Sequence, residues 1–445
     1  MPKAAACARL SAESDHRWVL WALGLNVVSS TARAHQMGGM ATRKNAIIVG
    51  GGIIGVTGAY TLAREGWRVR LLDALPDAGM GASLGNGRQL SYSHTSALAS
   101  PAILKQIPRL ALGCDEAFRI SPRFDMRFAR WVTRFLAQCT AARHRRNTLA
   151  GLALAEQSRR AMERLRDIHP IDFDHRATGK FVLLRGQSEL ESARAGVEAK
   201  RAQGLDQRLL SPKEVFAIEP ALANCAEPID GAIFTASDQS GDCSRFTREL
   251  LGILRAQYGV EFQPECHVLR IDRKGDQRRV VLDDGHELEA ELVVVSSGYR
   301  SNDLLAPLGL RLPIEPMKGY SFTAPLGNAA PSASVTDSKR RIVFTNLGDR
   351  MLVAGIAEIG RVDDRVEPQR LASMIAAARA SLPEAAVYSE ASQGWAGMRP
   401  MTPNSLPITK MLAPGLAANT GHGMLGWTMA MGSAEALAKA VGPGA

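Results

Sequence analysis

Between Ala46 and Asp73 the chain carries a pattern that very few folds accommodate. Ala46-Ile47-Ile48-Val49 is followed at once by Gly50-Gly51-Gly52-Ile53-Ile54-Gly55, then by an apolar stretch closing at Gly66, then by Val69-Arg70-Leu71-Leu72 and Asp73. The first apolar run reads as a buried strand. A helix follows from about Ile53 to Arg64, with Gly66 as its C-terminal stop. Gly50 permits the tight turn out of the strand. Gly52 lets the backbone approach a pyrophosphate, and Gly55 lets the helix pack closely on the sheet. The free N–H groups of Ile53 and Ile54 and the positive end of the helix then face that pyrophosphate. Asp73 stands eighteen residues beyond Gly55, where an acid accepts hydrogen bonds from an adenosine ribose. The segment is a βαβ dinucleotide-binding unit, and its place at the head of the folded chain favours FAD over NAD.

The remaining bulk properties mostly exclude. At 445 residues, with 46% apolar and 22% charged side chains, the chain suits a soluble protein of two or three lobes. Its net charge of +10 permits an acidic substrate, an anionic membrane or nucleic acid as partner. No nucleic-acid module is present, and no nucleic-acid partner is expected. The cysteines Cys7, Cys114, Cys139, Cys225, Cys243 and Cys266 form no CxxC pair and stand near no His cluster, so neither a metal site nor a disulfide scaffold is expected. They suit a reducing, cytoplasmic setting. Residues 1–43 read as an extension outside the fold. Trp18 to Val28 is apolar but too short to span a bilayer. Two readings stand: a misassigned start, with Met37 or Met40 as the true one, or a signal-like segment ending near Ala32-Arg33-Ala34.

Further along, Glu291 to Gly298 reads as a buried strand running into a glycine turn, preceded by a hairpin over Val280–Leu288. The backbone of Val268, on the strand before that hairpin, is a candidate contact for adenine; a plain strand position is equally open. Helices are expected at 126–140, 148–168, 187–203, 244–258 and 367–380, and over about Met424–Ala440. Phe124, Phe128, Trp131 and Phe135 recur at helical spacing among several arginines. That stretch suits either a helix packed on the core or one resting on an anionic membrane.

Several segments resemble one family. They are Asn86-Gly87-Arg88-Gln89-Leu90-Ser91-Tyr92-Ser93, Asp238-Gln239-Ser240-Gly241-Asp242-Cys243, Lys318-Gly319-Tyr320-Ser321, Gly397-Met398-Arg399-Pro400-Met401-Thr402-Pro403, and Asn419 to Thr428. The chain resembles the small-subunit type of FAD-dependent D-amino acid dehydrogenase, within the D-amino acid oxidase-like group. The resemblance implies an α/β fold: a Rossmann-like FAD-binding domain and a second, α+β substrate domain whose antiparallel sheet covers the flavin. The FAD-binding domain is expected over 44–95, 240–310 and 395–445, and the substrate domain over 96–239 and 311–394. The resemblance also implies oxidative deamination of D-amino acids to 2-oxo acids and ammonia. Electrons then pass to a quinone-type acceptor, with peripheral contact at an inner membrane. Asn86, Gly87, Gln89, Gly298, Gly421, His422, Gly423 and Met424 join the expected cofactor contacts. Asn404, Ser296-Ser297 and Ile408-Thr409-Lys410 depart from the family pattern.

Oxidising an amino acid moves a hydride from Cα to flavin N5, so the protein must hold the carboxylate and stabilise negative charge on the reduced flavin. Arg399 is the expected clamp, because its planar fork matches a carboxylate. Tyr320 is a candidate donor to the same carboxylate, with a structural sheet tyrosine equally open. The Gly421-His422-Gly423 loop opens the last helix and aims positive partial charge at the flavin, with His422 as hydrogen-bond donor or proton relay, or simply structural. Two other functions stay open: an oxygen-dependent oxidase of glycine or a secondary amino acid, and a flavin-binding subunit without substrate chemistry.

Overall fold

The computed structural model describes residues 43–444 apart from 112–114, 116, 122 and 203. The two readings of the N-terminal extension lie outside the described residues, as do Cys7 and Cys114.

A six-stranded sheet forms the first layer, in the order Ile408–Ala413, Leu416–Thr420, Leu292–Val295, Asn45–Val49, Arg68–Leu72, Glu261–Gln263. All neighbours are parallel except the first pair. Its central strands are continuous apolar runs because both faces are covered. Ile48, Leu71, Val294 and Ala417 meet helices Ile53–Arg64 and Gly426–Val441 on one face. Ile47, Val49, Val293, Val295 and Ala418 meet Ile271, Val280 and Leu282 on the other. Those three residues belong to an antiparallel meander of Val268–Lys274, Gln277–Leu282 and Glu287–Ala290.

The second layer is a nine-stranded mixed sheet. Its main path runs Trp395–Met401, Glu315–Pro325, Arg350–Ile359, Ile342–Asn346, Ser334–Asp337, Lys180–Leu184, Gly231–Thr235 and Arg208–Leu210, and Phe118–Ile120 pairs with Arg350–Ile359. One face carries Tyr320, Phe322 and Val353 against Met374 and Ala378 of helix Pro368–Ser381. The opposite face carries Met317, Ile359 and Met401 against Phe128 and Trp131 of helix Met126–Gln138. The Trp131 indole N–H donates to the Met401 carbonyl at 3.0 Å.

The five expected helices appear at Met126–Gln138, Ala141–Ile168, Gln187–Arg201, Cys243–Gln257 and Pro368–Ser381. Three more, Pro101–Ala111, Pro212–Ile218 and the short Ser301–Leu305, were not anticipated; the first two each open on a proline at the first position. The aromatic spacing in Met126–Gln138 serves packing. Phe128 and Trp131 are buried, Phe135 stacks on Trp131 at 5.2 Å, and Phe124 alone is fully exposed.

Two segments sit elsewhere than expected. Trp395–Met401, assigned above to the FAD-binding part, is hydrogen-bonded along Glu315–Pro325, with Arg399 opposite Met317. Helix Ala141–Ile168, assigned to the substrate part, packs on Gly426–Val441, and its Ala155, Met162 and Leu165 share a core with Ile48. Local periodicity reveals that a strand or helix has a buried face, but not which distant surface covers it.

Candidate active site

The fingerprint builds its cradle from backbone. Gly50 has φ +116, and a Cβ there would lie 2.6 Å from the Ser296 carbonyl oxygen. The turn therefore tolerates no side chain. Asp73 holds the turn from the adjoining strand: its carboxylate accepts the N–H of Gly51 and, at 2.8 Å, that of Leu75. Burial raises its pKa, and these two bonds oppose that rise. Ser83 Oγ accepts the Ile53 N–H at 3.1 Å, at the head of the helix. The Cys266 N–H donates to the Asp73 carbonyl at 2.8 Å, which brings the strand beginning at Val268 beside the same turn. Gly298, with φ +58, closes the neighbouring strand end, where its carbonyl accepts the Thr420 hydroxyl at 3.1 Å.

The loop after this unit runs across the nine-stranded sheet on the face that carries Arg399. Ser321 Oγ donates to the Gly85 carbonyl and Thr345 Oγ1 to the Gly87 carbonyl, each at 2.9 Å. Asn86 Oδ1 accepts the Arg88 N–H at 2.8 Å in an Asx turn. Gln89 then pairs with Ser240. Trp395 lies between Gly85 and Gly397, and a Cβ at either glycine would overlap its indole.

Arg399 projects from the next strand position but one on the same face. Its guanidinium lies directly over Gly319, where a Cβ would stand 2.8 Å from Nη1 and closer still to Cζ. Its only partner among the described residues is the Ile356 carbonyl, 3.3 Å from Nη1. Desolvation lowers its pKa to about 10, so it remains a cation at neutral pH with no carboxylate beside it.

Tyr320 is not brought to this place. It alternates with Gly319 and so points through the opposite face. There its hydroxyl donates to Glu358 at 3.2 Å, and its ring lies 5.2 Å from the Lys318 ammonium. Lys318 in turn bonds Asp363. Tyr320 therefore belongs to the layer under helix Pro368–Ser381, and its expected role at the substrate carboxylate is corrected.

His422 is 3% exposed, and burial lowers its pKa to about 3. Ser433 Oγ, which donates to the Ala430 carbonyl at 3.0 Å, accepts from His422 Nε2 at 2.8 Å. The ring is thus neutral with its proton on Nε2, and Nδ1 has no partner. Burial thus makes the ring a weak base near neutral pH, with Nδ1 open as an acceptor. Gly421 and Gly423 adopt φ +79 and +56, against Thr402 and Met401 respectively, so the loop abuts the end of the Arg399 strand. Met424 beyond them is exposed.

The family model described as FAD dependent oxidoreductase matches residues 45–440.

The chain belongs to the FAD dependent oxidoreductase family.

Among curated relatives of this FAD dependent oxidoreductase, D-amino acid dehydrogenase 2 of Ralstonia nicotianae is 39% identical over 402 residues, covering 88% of this chain and 95% of the relative. The D-amino acid dehydrogenase 2 of Pseudomonas aeruginosa is 38% identical, covering 89% and 94%. In fold it is similar to glycine oxidase of Bacillus cereus (TM-score 0.69, 20% identity, 89% of this chain and 94% of that one). It is similar likewise to L-proline dehydrogenase of P. horikoshii (TM-score 0.69, 18% identity, 90% and 93%).

The residues present fit FAD. The glycine turn accepts no side chain, and the helix opening at Ile53 presents its positive end. Around the path from there to Arg399, the buried Gln89 Nε2, Ser296 Oγ, Ser297 Oγ and His422 Nδ1 have no protein partner. Two donors of geometry escaped the sequence reading. Ser83 gave no signal beyond being a serine in a loop. Ile356 sits in a β-bulge that only the paired strands reveal. Among the described residues, no group of three or more His, Cys, Asp or Glu is placed to hold a metal.

Proposed function

We propose that this FAD dependent oxidoreductase oxidises D-amino acids to 2-oxo acids and ammonia, with Arg399 holding the substrate carboxylate. The observation that carries the reading is the half-buried, desolvated guanidinium with no counter-ion among the described residues, on the face crossed by the Gly85–Gln89 loop. A partly desolvated cation of this kind is stabilised by a bidentate anion. Bound FAD supplies the hydride acceptor. Gly50, Gly52, Ile53, Ile54, Gly55 and Asp73 would hold its pyrophosphate and ribose end, Val268 its adenine. Asn86, Gly87, Gln89, Gly298, Gly421, His422, Gly423 and Met424 would border the rest.

Arg399 fixes the carboxylate, so that Cα is held in one orientation. The Trp395 indole beside it closes off one side against water. Neutral His422 keeps the loop rigid through Ser433 and leaves Nδ1 free to accept one hydrogen bond. The positive end of the helix opening at Gly426 favours negative charge developing near that loop. The substrate, deprotonated at its amine, loses hydride from Cα to give an imino acid, and water hydrolyses this to the 2-oxo acid and ammonia. The D-configuration is supported by the curated relatives.

A quinone-type acceptor and peripheral membrane contact complete the reading. No described helix is long and apolar enough to cross a membrane. From Met126 to Ala155 the sequence holds six arginines and no acid. Arg130, Arg134, Arg143, Arg145 and Arg146 are exposed, as are Phe124 and Met126 at the head of the first helix. Such a face suits anionic lipid.

The test is anaerobic mixing of the holoenzyme with D- and L-amino acids while the flavin absorbance is followed. Bleaching by D-substrates, lost in Arg399→Ala with FAD retained, is expected. Bleaching by L-substrates alone overturns the stereochemistry, and an Arg399→Ala enzyme that bleaches as wild type overturns the clamp. Sedimentation with phosphatidylglycerol vesicles, abolished in Arg130→Glu/Arg134→Glu, tests the membrane face.

A further inference from the structure

Gly319 stands in the interior of an eleven-residue strand, Glu315–Pro325. A glycine there weakens a strand, so its presence calls for a reason. Its φ is not among the positive ones, so the backbone conformation is open to any residue. The reason is spatial. The site of its missing Cβ is occupied by the Arg399 guanidinium, whose Cζ and both terminal nitrogens are the three nearest atoms. Among the described residues other than its chain neighbours, nothing comes closer to that point.

On the strand that pairs from the other side, Gly319 faces Ala357 while Tyr320 faces Gly355, so Ile356 is an extra residue. It is a β-bulge, with φ +52 at Ile356. Positive φ at a β-branched residue is a costly conformation. Burial of the Ile356 side chain in the core under helix Pro368–Ser381 holds it there. The bulge frees the Ile356 carbonyl from the ladder and turns it to Arg399 Nη1.

We propose that Gly319 and the Ile356 bulge are positioning residues for Arg399: the glycine is the seat of the guanidinium and the bulge carbonyl fixes its rotation. One nitrogen is engaged, and the remaining N–H groups are left to meet a carboxylate as a fork. The inference rests on the clamp reading above. It predicts that the smallest possible side chain at residue 319 displaces the fork without touching the substrate.

The experiment uses FAD-loaded wild type, Gly319→Ala, Arg399→Ala and the double variant with the D-amino acid that bleaches wild type fastest. The concentration dependence of anaerobic bleaching separates substrate Kd from the limiting rate. Gly319→Ala is expected to weaken Kd by about tenfold to a hundredfold with FAD content unchanged. The double variant is expected to match Arg399→Ala alone, because the seat has no role once its occupant is gone. A wild-type Kd in Gly319→Ala, or losses that multiply in the double variant, overturns the proposal while leaving the clamp intact. A wild-type Kd in Arg399→Ala removes the clamp and the seat together. Should Gly319→Ala fail to fold, the double variant relieves the overlap. Its recovery supports the seat, and its failure to fold overturns it.

Discussion

Replacing Arg399 by methionine should separate stability from binding. Burial lowers the guanidinium pKa from its ordinary range to about 10. At roughly 1.4 kcal/mol per pH unit, and allowing for the part of the side chain that stays exposed, the charged form costs about 2–3 kcal/mol. The one hydrogen bond, to the Ile356 carbonyl, returns about 1.5–2 kcal/mol. The sign follows from linkage. The folded state holds the proton less tightly than the unfolded chain, so the penalty is fully present below pH 10 and fades as pH rises from there toward the ordinary guanidinium range. At pH 7–8 a neutral side chain of similar length therefore leaves the substrate-free holoenzyme unchanged or more stable, by on the order of 1 kcal/mol. Losing the bidentate pair should weaken substrate binding by about 3–5 kcal/mol, roughly a hundredfold to several thousandfold in Kd. Urea unfolding monitored by tryptophan fluorescence reads the first quantity, and anaerobic flavin bleaching reads the second. An Arg399→Met protein several kcal/mol less stable than wild type refutes the reasoning, because it means that the cation is already balanced within the fold.

Other substitutions probe the cradle and the histidine loop. His422 is neutral in the fold down to about pH 3, while the unfolded chain takes up a proton below 6.5. Acidification through that interval should cost wild type about 1.4 kcal/mol per pH unit from this residue, and His422→Asn should flatten that part of an acid-unfolding curve; an unchanged curve contradicts the assignment. Asp73→Ala leaves the Gly51 and Leu75 amides without acceptors, at about 1–3 kcal/mol each where buried. FAD should dissociate on dilution, as read by its fluorescence, and wild-type retention would argue against the ribose contact. Gly50→Ala sets a Cβ against the Ser296 carbonyl, so flavin-free or insoluble protein is expected on purification.

How much of this was legible depended on the distance over which each signal acts. The βαβ unit was readable because its strand, glycines, helix and acid lie within thirty residues and each is stereochemically constrained. The helices were readable from periodicity, though Pro101–Ala111 and Pro212–Ile218 were not. Arg399 was singled out through a motif, and the structure places it on the face crossed by the Gly85–Gln89 loop. For Tyr320, adjacent to Gly319 in the same motif, a carboxylate donor and a structural sheet tyrosine stood equally open, and the structure places it in the sheet layer. One step along a strand reverses the side, and nothing local says which face meets the cofactor. The strand holding Arg399 was given to the wrong layer for a related reason, since sheet partners are set by tertiary packing. Ile356 was invisible, because a bulge exists only relative to a partner strand.

The order of strands in the six-stranded sheet has a consequence for biosynthesis. Asn45–Val49 waits for Leu292–Val295, and that strand waits for Leu416–Thr420 to cover its other edge. The far end is then stitched back, with the Gly444 carbonyl accepting the Lys44 N–H at 2.9 Å and the Gly442 carbonyl accepting the Trp67 indole N–H at 3.0 Å. While the last thirty residues are still being made, the fully apolar Leu292-Val293-Val294-Val295 edge stands open to pairing with another nascent chain. Slow, non-local closure of this kind makes the yield of soluble protein sensitive to temperature and translation rate. On the proposed assignment of Gly421 to Met424 to the flavin border, FAD would enter as a late ligand that draws the assembled state out of the aggregation-prone one.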